Sequence, residues 1–141
     1  MPIDRINPRS LFLIDGIGAL ISAVLLGLIM PHWVTFFGIP EKSLYILAFI
    51  PCTFIIYDIF CYFYGYHSSL SLKLIAFLNL LYCCISIGLV IYKREELTVY
   101  GWLYIMIEIV IIIFLVTIEL RVASSYGKAG YPSYKEKRSK N

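Results

Sequence analysis

Four acidic side chains stand in stretches that are otherwise almost wholly apolar: Asp15, Asp58, Glu108 and Glu119. With Asn79, Tyr82 and Tyr104 they are the residues of this chain whose types and spacing could do chemistry. A carboxyl in apolar surroundings can hold a proton, accept a hydrogen bond from an amide or a phenol, or bind a cation or a polar headgroup. Each use requires that it face other protein, because a lone carboxylate in hydrocarbon costs about 2.5–3.5 kcal/mol on insertion scales. Catalysis by other routes finds little support. Cys52, Cys61, Cys83 and Cys84 contain no C-x-x-C pair, no histidine stands at metal-ligand spacing, and no nucleophile–base pair is visible. The cysteines read as packing residues. No enzyme activity, cofactor or metal is expected.

The elements that must position these acids follow from composition. Of 141 residues 60% are hydrophobic and 15% charged, and the mean hydropathy is +0.83. Soluble domains run nearer half apolar and a quarter charged. Residues 11–30 are apolar or small without a break except Asp15, and a helix of that length covers roughly 30 Å, the hydrocarbon thickness of a bilayer. Three more stretches match it, at about 44–64, 74–92 and 100–120. The expectation is an all-α polytopic membrane protein, an antiparallel four-helix transmembrane bundle over residues 1–123. A basic, flexible tail is expected over 124–141. The first stretch is too long and too acidic for a signal peptide, so no cleavage is expected.

Within the first span Ala19, Ala23 and Gly27 recur every four residues, and Gly18 and Ser22 do so one strip over. Such faces let helices approach closely, within one chain or between two. Ser10 is a candidate N-cap, and Pro51 is expected to kink the second span. Residues 31–43 read as the longest loop. Trp33, Phe36 and Phe37 suit the headgroup region there, and His32 reads as a solvated interfacial residue. The tail carries Arg121, Lys128, Lys135, Lys137, Arg138 and Lys140, candidates for contact with anionic lipid at around 1 kcal/mol per well-placed cation. Nucleic acid is not expected as a partner.

An even number of spans puts both termini on one side. That side would hold nine basic residues, Arg5, Arg9 and Lys73 with those of the tail, against Lys42, Lys93 and Arg94 on the other. The positive-inside rule then places both ends in the cytoplasm of a multi-pass cell-membrane protein. Counted from that side, Asp15 lies about 6 Å deep, Asn79 about 8 Å and Asp58 about 9 Å, with Glu119 near the same level. Glu108 lies near the midplane and shares a face with Tyr104. Two arrangements are open: a site for a proton, a cation or a polar headgroup, or interhelical glue in which Arg9, Lys73 and Arg121 reach up from the rim to pair with Asp15 and Asp58.

The phrases FLIDGIGAL (12–20), YDIFCYF, LNLLYC and IELRVA (118–123) resemble small uncharacterised four-span integral membrane proteins of bacteria. The resemblance implies the topology and a bacterial inner membrane, and it implies no activity. The leading functional expectation is a non-enzymatic membrane component that associates with itself or a membrane partner through its small-residue faces. The alternative is a small proton- or solute-handling protein built on Asp15, Asp58 and Glu108.

Overall fold

A computed structural model describes residues 7–64 and 68–128, with side chains to residue 125. No strand occurs among the described residues. The helices are α1 (Pro8–Val24), α2 (Val34–Phe37), α3 (Glu41–Tyr64), α4 (Ser69–Tyr92) and α5 (Val99–Lys128). A π turn at Leu25–Ile29 and a 3-10 turn at Met30–Trp33 join α1 to α2. The first spanning unit therefore runs unbroken over Pro8–Phe37, and the expected loop at 31–43 shrinks to three residues, 38–40. Pro31 accounts for the change of winding: it has no N–H, so the helix must rearrange its hydrogen bonds around it. His32 takes part, its ring Nδ1 donating to the Leu28 carbonyl at 2.7 Å.

Four helical units are each long and apolar enough to cross a membrane. A helix satisfies every backbone polar group internally, which hydrocarbon requires. The outer surface is apolar, with Ile14, Leu28, Phe49, Ile56, Phe77, Val110 and Phe114 all exposed, while Asp15, Asp58, Asn79, Ser86, Glu108 and Glu119 are buried. A water-soluble fold has the opposite distribution. The chain is a small multi-pass membrane protein.

The spans are antiparallel. At one end Ser69 Oγ donates to the Ala123 carbonyl, Tyr57 Oη to the Ser71 carbonyl, and the Arg9 guanidinium lies 4.3 Å from the centre of the Tyr62 ring. This terminal end joins the start of α1, the end of α3, the start of α4 and the end of α5. At the opposite, loop end Thr98 donates through Oγ1 to the Phe36 carbonyl and through its N–H to the Phe37 carbonyl. Gly38 turns there with φ +68°, a left-handed conformation that favours glycine.

One helix start and one end differ from expectation. Asn7, not Ser10, caps α1: its Oδ1 accepts from Arg9 N at 3.0 Å, and Pro8 takes the first helical position. Proline fits there because its missing N–H would have no intrahelical partner. Helix α5 continues to Lys128, so 124–128 is helix and not flexible tail.

The four spans pack as two pairs. Helix α1 lies along α3 and α4 along α5, while α1 meets α5 and α3 meets α4 far more sparsely. The small-residue strip of α1 belongs to the first pair. A Cβ on Gly27 would stand 3.3 Å from Ala48 Cβ, and one on Gly16 would stand 3.3 Å from Asp58 Cβ. Ala19, Ser22 and Ala23 are half-buried, and Gly18 is exposed with open space around it.

Candidate functional site

The buried polar groups form two connected clusters between the helix pairs. Nearer the terminal end are Asp15 of α1, Asp58 of α3, Asn79 of α4 and Glu119 of α5. Asn79 Nδ2 donates to Asp15 Oδ1 at 2.9 Å. Asp58 and Glu119 lie close enough to Asp15 for their charges to interact. Asp58 reaches this position because residue 16 has no side chain to stand in its way.

Nearer the middle of the spans, Glu108 Oε1 accepts from Tyr82 Oη at 3.0 Å and from Tyr104 Oη at 3.4 Å. Asn79 and Tyr82 are one turn apart on α4 and link the clusters. Ser86, seven residues after Asn79 on the same face, extends the polar file. Ser86 is fully buried and was not among the candidate residues, although its i+7 spacing from Asn79 was there to be read. On the α1 side Ser22 stands beside Glu108.

Six carboxyl oxygens in these clusters lack a donor in full hydrogen-bond geometry, Asp15 Oδ2, both of Asp58, Glu108 Oε2 and both of Glu119, although Asp58 lies against Asp15, Ser22 against Glu108 and Asn79 against Glu119. The expected rim cations do not supply that donor. Arg9, Lys73 and Arg121 are exposed, Arg9 stacks on Tyr62, and the ion pair among the described residues is Lys93–Glu96 at 2.8 Å, at the loop end. The reason is geometric. Leu11, Phe12, Leu72, Ile75 and Val122 are packed between the acids and the terminal end with at most 2% of their surface exposed, and a lysine or arginine stem cannot pass such a plug. Lys93 itself, in the turn outside the spans, is held above its ordinary pKa by the Glu96 carboxylate beside it. Leu26, Met30, Leu47, Val90 and Ile105 close the interior on the loop side.

The interior opens sideways instead. A crevice of about 280 Å³ lies where α1 and α5 stand apart, with Asp15, Asn79, Tyr82 and Glu108 on its floor. Ala19, Leu25, Phe54, Ile112 and Leu115 form apolar walls, and Gly18, Ile21, Ile107 and Ile111 line it from the exposed outer surface. Glu119 and Asp58 sit behind Asp15, outside the crevice lining. Phe54, whose ring meets that of Tyr82 edge-on at 6.3 Å, had no sequence signal, because one apolar residue among many gives no azimuth.

Among the described residues no group of three His, Cys, Asp or Glu side chains could hold a metal ion. The four cysteines are free; Cys61 and Cys83 are buried, Cys52 and Cys84 exposed. Of the candidate lipid contacts, Arg121 is exposed on α5 and the Lys128 backbone is helical. Lys135, Lys137, Arg138 and Lys140 lie outside the described residues, as do Arg5 and most of the tail. Compared with protein families, curated proteins and solved structures, the chain matches none.

Proposed function

We propose that this protein is a non-enzymatic inner-membrane component that holds and exchanges a proton or a cation at its buried acids. The observation that carries this reading is the burial together of Asp15, Asp58, Glu108 and Glu119, whose carboxyl oxygens outnumber the donors beside them. Carboxyls in a low-dielectric interior need protons, a cation or strong donors to be tolerated. Asn79 donates to one oxygen of Asp15, and Tyr82 and Tyr104 to one of Glu108, with Asn79 also beside Glu119 and Ser22 beside Glu108. Pure interhelical glue would match donors to acceptors, and this interior holds more carboxyl oxygens than donors.

Self-association through the small-residue faces of the first span is the weaker reading: Gly27 already packs on Ala48 of α3, which leaves the exposed Gly18 with open space beside it. Both termini are assigned to the cytoplasm on the nine-to-three distribution of basic residues, with Arg121 and the tail cations meeting anionic lipid there.

The test is proton exchange in sealed vesicles carrying the reconstituted full chain and a trapped pH indicator. Asp15→Asn keeps the amide-matched hydrogen bonding and the fold, and is expected to abolish the protein-dependent part of the signal. An undiminished signal in a folded Asp15→Asn protein, or no signal above empty vesicles for the unaltered chain, would overturn the proposal.

A further inference from the structure

The crevice between α1 and α5 constrains what can reach the acids. Both ends of the bundle are plugged by buried apolar side chains, so nothing hydrated has a direct way in along the axis. The mouth is lined by Gly18, Ile21, Ile107 and Ile111, which are exposed on the surface that faces hydrocarbon. An occupant must therefore first enter the bilayer. The volume, about 280 Å³, lies at the lower end of the range for small-molecule sites, too small for a second helix with its side chains.

Charge narrows the occupant further. No lysine, arginine or histidine lines the crevice. Asp15 and Glu108 line its floor, on side chains only 4% and 7% exposed. An anion would meet these two acids unfavourably, and a wholly apolar molecule would offer them no charge. A bare metal ion has no ligand set here. The rings of Phe54, Tyr82 and Tyr104 line the same space, and aromatic faces beside carboxyls are the surroundings in which organic ammonium groups are held.

We propose that this crevice takes a small organic cation with an apolar body, entering sideways from the bilayer, its charged nitrogen meeting the Asp15 and Glu108 carboxyls. The proposal rests on the reading of the acids as an exchange site and names the class of cation.

The full chain, purified into phosphatidylcholine nanodiscs, is titrated calorimetrically with benzyltrimethylammonium and with neopentylbenzene, its neutral isostere, against empty discs. The cation is expected to bind saturably, and the isostere at least about tenfold more weakly. Glu108→Gln is expected to weaken cation binding about tenfold or more. Because that substitution touches the Tyr82 and Tyr104 bonds, a second variant is needed: Ile107→Trp crowds the mouth from an exposed position and should weaken binding with an unchanged melting temperature. Equal binding of the isostere, or full affinity in both variants, would show an apolar crevice only and overturn the proposal. Absence of cation binding overturns it too, and vesicle proton exchange measured on the same protein separates the cases: exchange that persists leaves the acid-site reading standing, and its loss removes both.

Discussion

Asn79 on α4 and Asp15 on α1 share a 2.9 Å hydrogen bond that crosses from one helix pair to the other. Few contacts join α1 to the α4–α5 pair, so this bond holds together two units that otherwise meet sparsely.

Asn79→Leu should accordingly destabilise the bundle by about 1.6–3.6 kcal/mol. The bond itself averages about 0.6 kcal/mol in membrane proteins, and stranding the Asp15 oxygen adds the cost of an unmet buried acceptor, roughly 1–3 kcal/mol. Steric-trap or denaturant unfolding in detergent measures the loss. The double variant Asp15→Leu with Asn79→Leu should lose less than the two single variants together. Strict additivity would mean that the two side chains do not act as a pair.

Glycines divide into those the packing requires and those it does not. Gly38 has φ +68°, and a Cβ there would collide with the Glu96 carbonyl; one on Gly101 would collide with the Phe37 carbonyl. Gly38→Ala should cost about 1–2 kcal/mol for the backbone conformation alone, plus the displacement of the turn before α5. Gly101→Ala should also destabilise, against the roughly 1 kcal/mol that helix propensity gives alanine. Gly88, in mid-helix with nothing within 4 Å, is the control: alanine there should be neutral or stabilising by up to about 1 kcal/mol. Melting temperatures in one detergent rank the three. Gly38→Ala at or above the unaltered protein would refute the loop-end packing.

The α1–α3 seam can be tested with a size exchange. Gly27→Ala brings a methyl 3.3 Å from Ala48 Cβ, tighter than ordinary contact, and overpacking of this kind costs about 1–3 kcal/mol. Ala48→Gly makes the space, so Gly27→Ala with Ala48→Gly should regain most of the loss. If Gly27 instead served contact between two copies, Gly27→Ala would change the oligomer distribution in sedimentation and Ala48→Gly would not rescue it.

How far these relationships were legible in the sequence depends on the coordinate involved. Position along a helix axis follows from residue count, because the rise per residue is constant. Asp15 and Asn79, counted to within a few ångströms of one depth, do lie within hydrogen-bonding distance. The four-span, all-α architecture follows in the same way from the lengths of the apolar stretches. Azimuth does not follow, since all faces of such helices are apolar and periodicity has nothing to report. The sideways crevice, the place of Gly16 against Asp58 and the contribution of Phe54 are all azimuthal facts. Reach also misleads: Arg9, Lys73 and Arg121 are near enough in sequence to meet the acids, and the plug of Leu11, Phe12, Leu72 and Ile75 stops them. Local winding at Pro31 was legible as a break, yet whether the chain leaves the helix or rewinds depends on partners such as His32.

Tyr82 and Tyr104 both donate to Glu108 Oε1, and the distances order them. The Tyr82 bond is 3.0 Å and buried; the Tyr104 bond is 3.4 Å and half-buried, near the outer limit of a useful hydroxyl bond. Each phenol also fills space that phenylalanine would keep, so a Tyr→Phe change isolates the hydroxyl. Tyr82→Phe should cost about 1–2 kcal/mol, with a charge-assisted bond at the upper end, and Tyr104→Phe about 0.5 kcal/mol or less. In Glu108→Gln the accepting oxygen survives on a neutral amide, so the gap between the two tyrosine variants should narrow without closing. Thermal unfolding of the unaltered protein, Glu108→Gln and each tyrosine variant in both backgrounds, six proteins under one condition, reads all of this. A larger loss for Tyr104→Phe than for Tyr82→Phe would mean that Glu108 turns along its own helix toward Tyr104 rather than across to α4, and that Tyr104 is its principal donor.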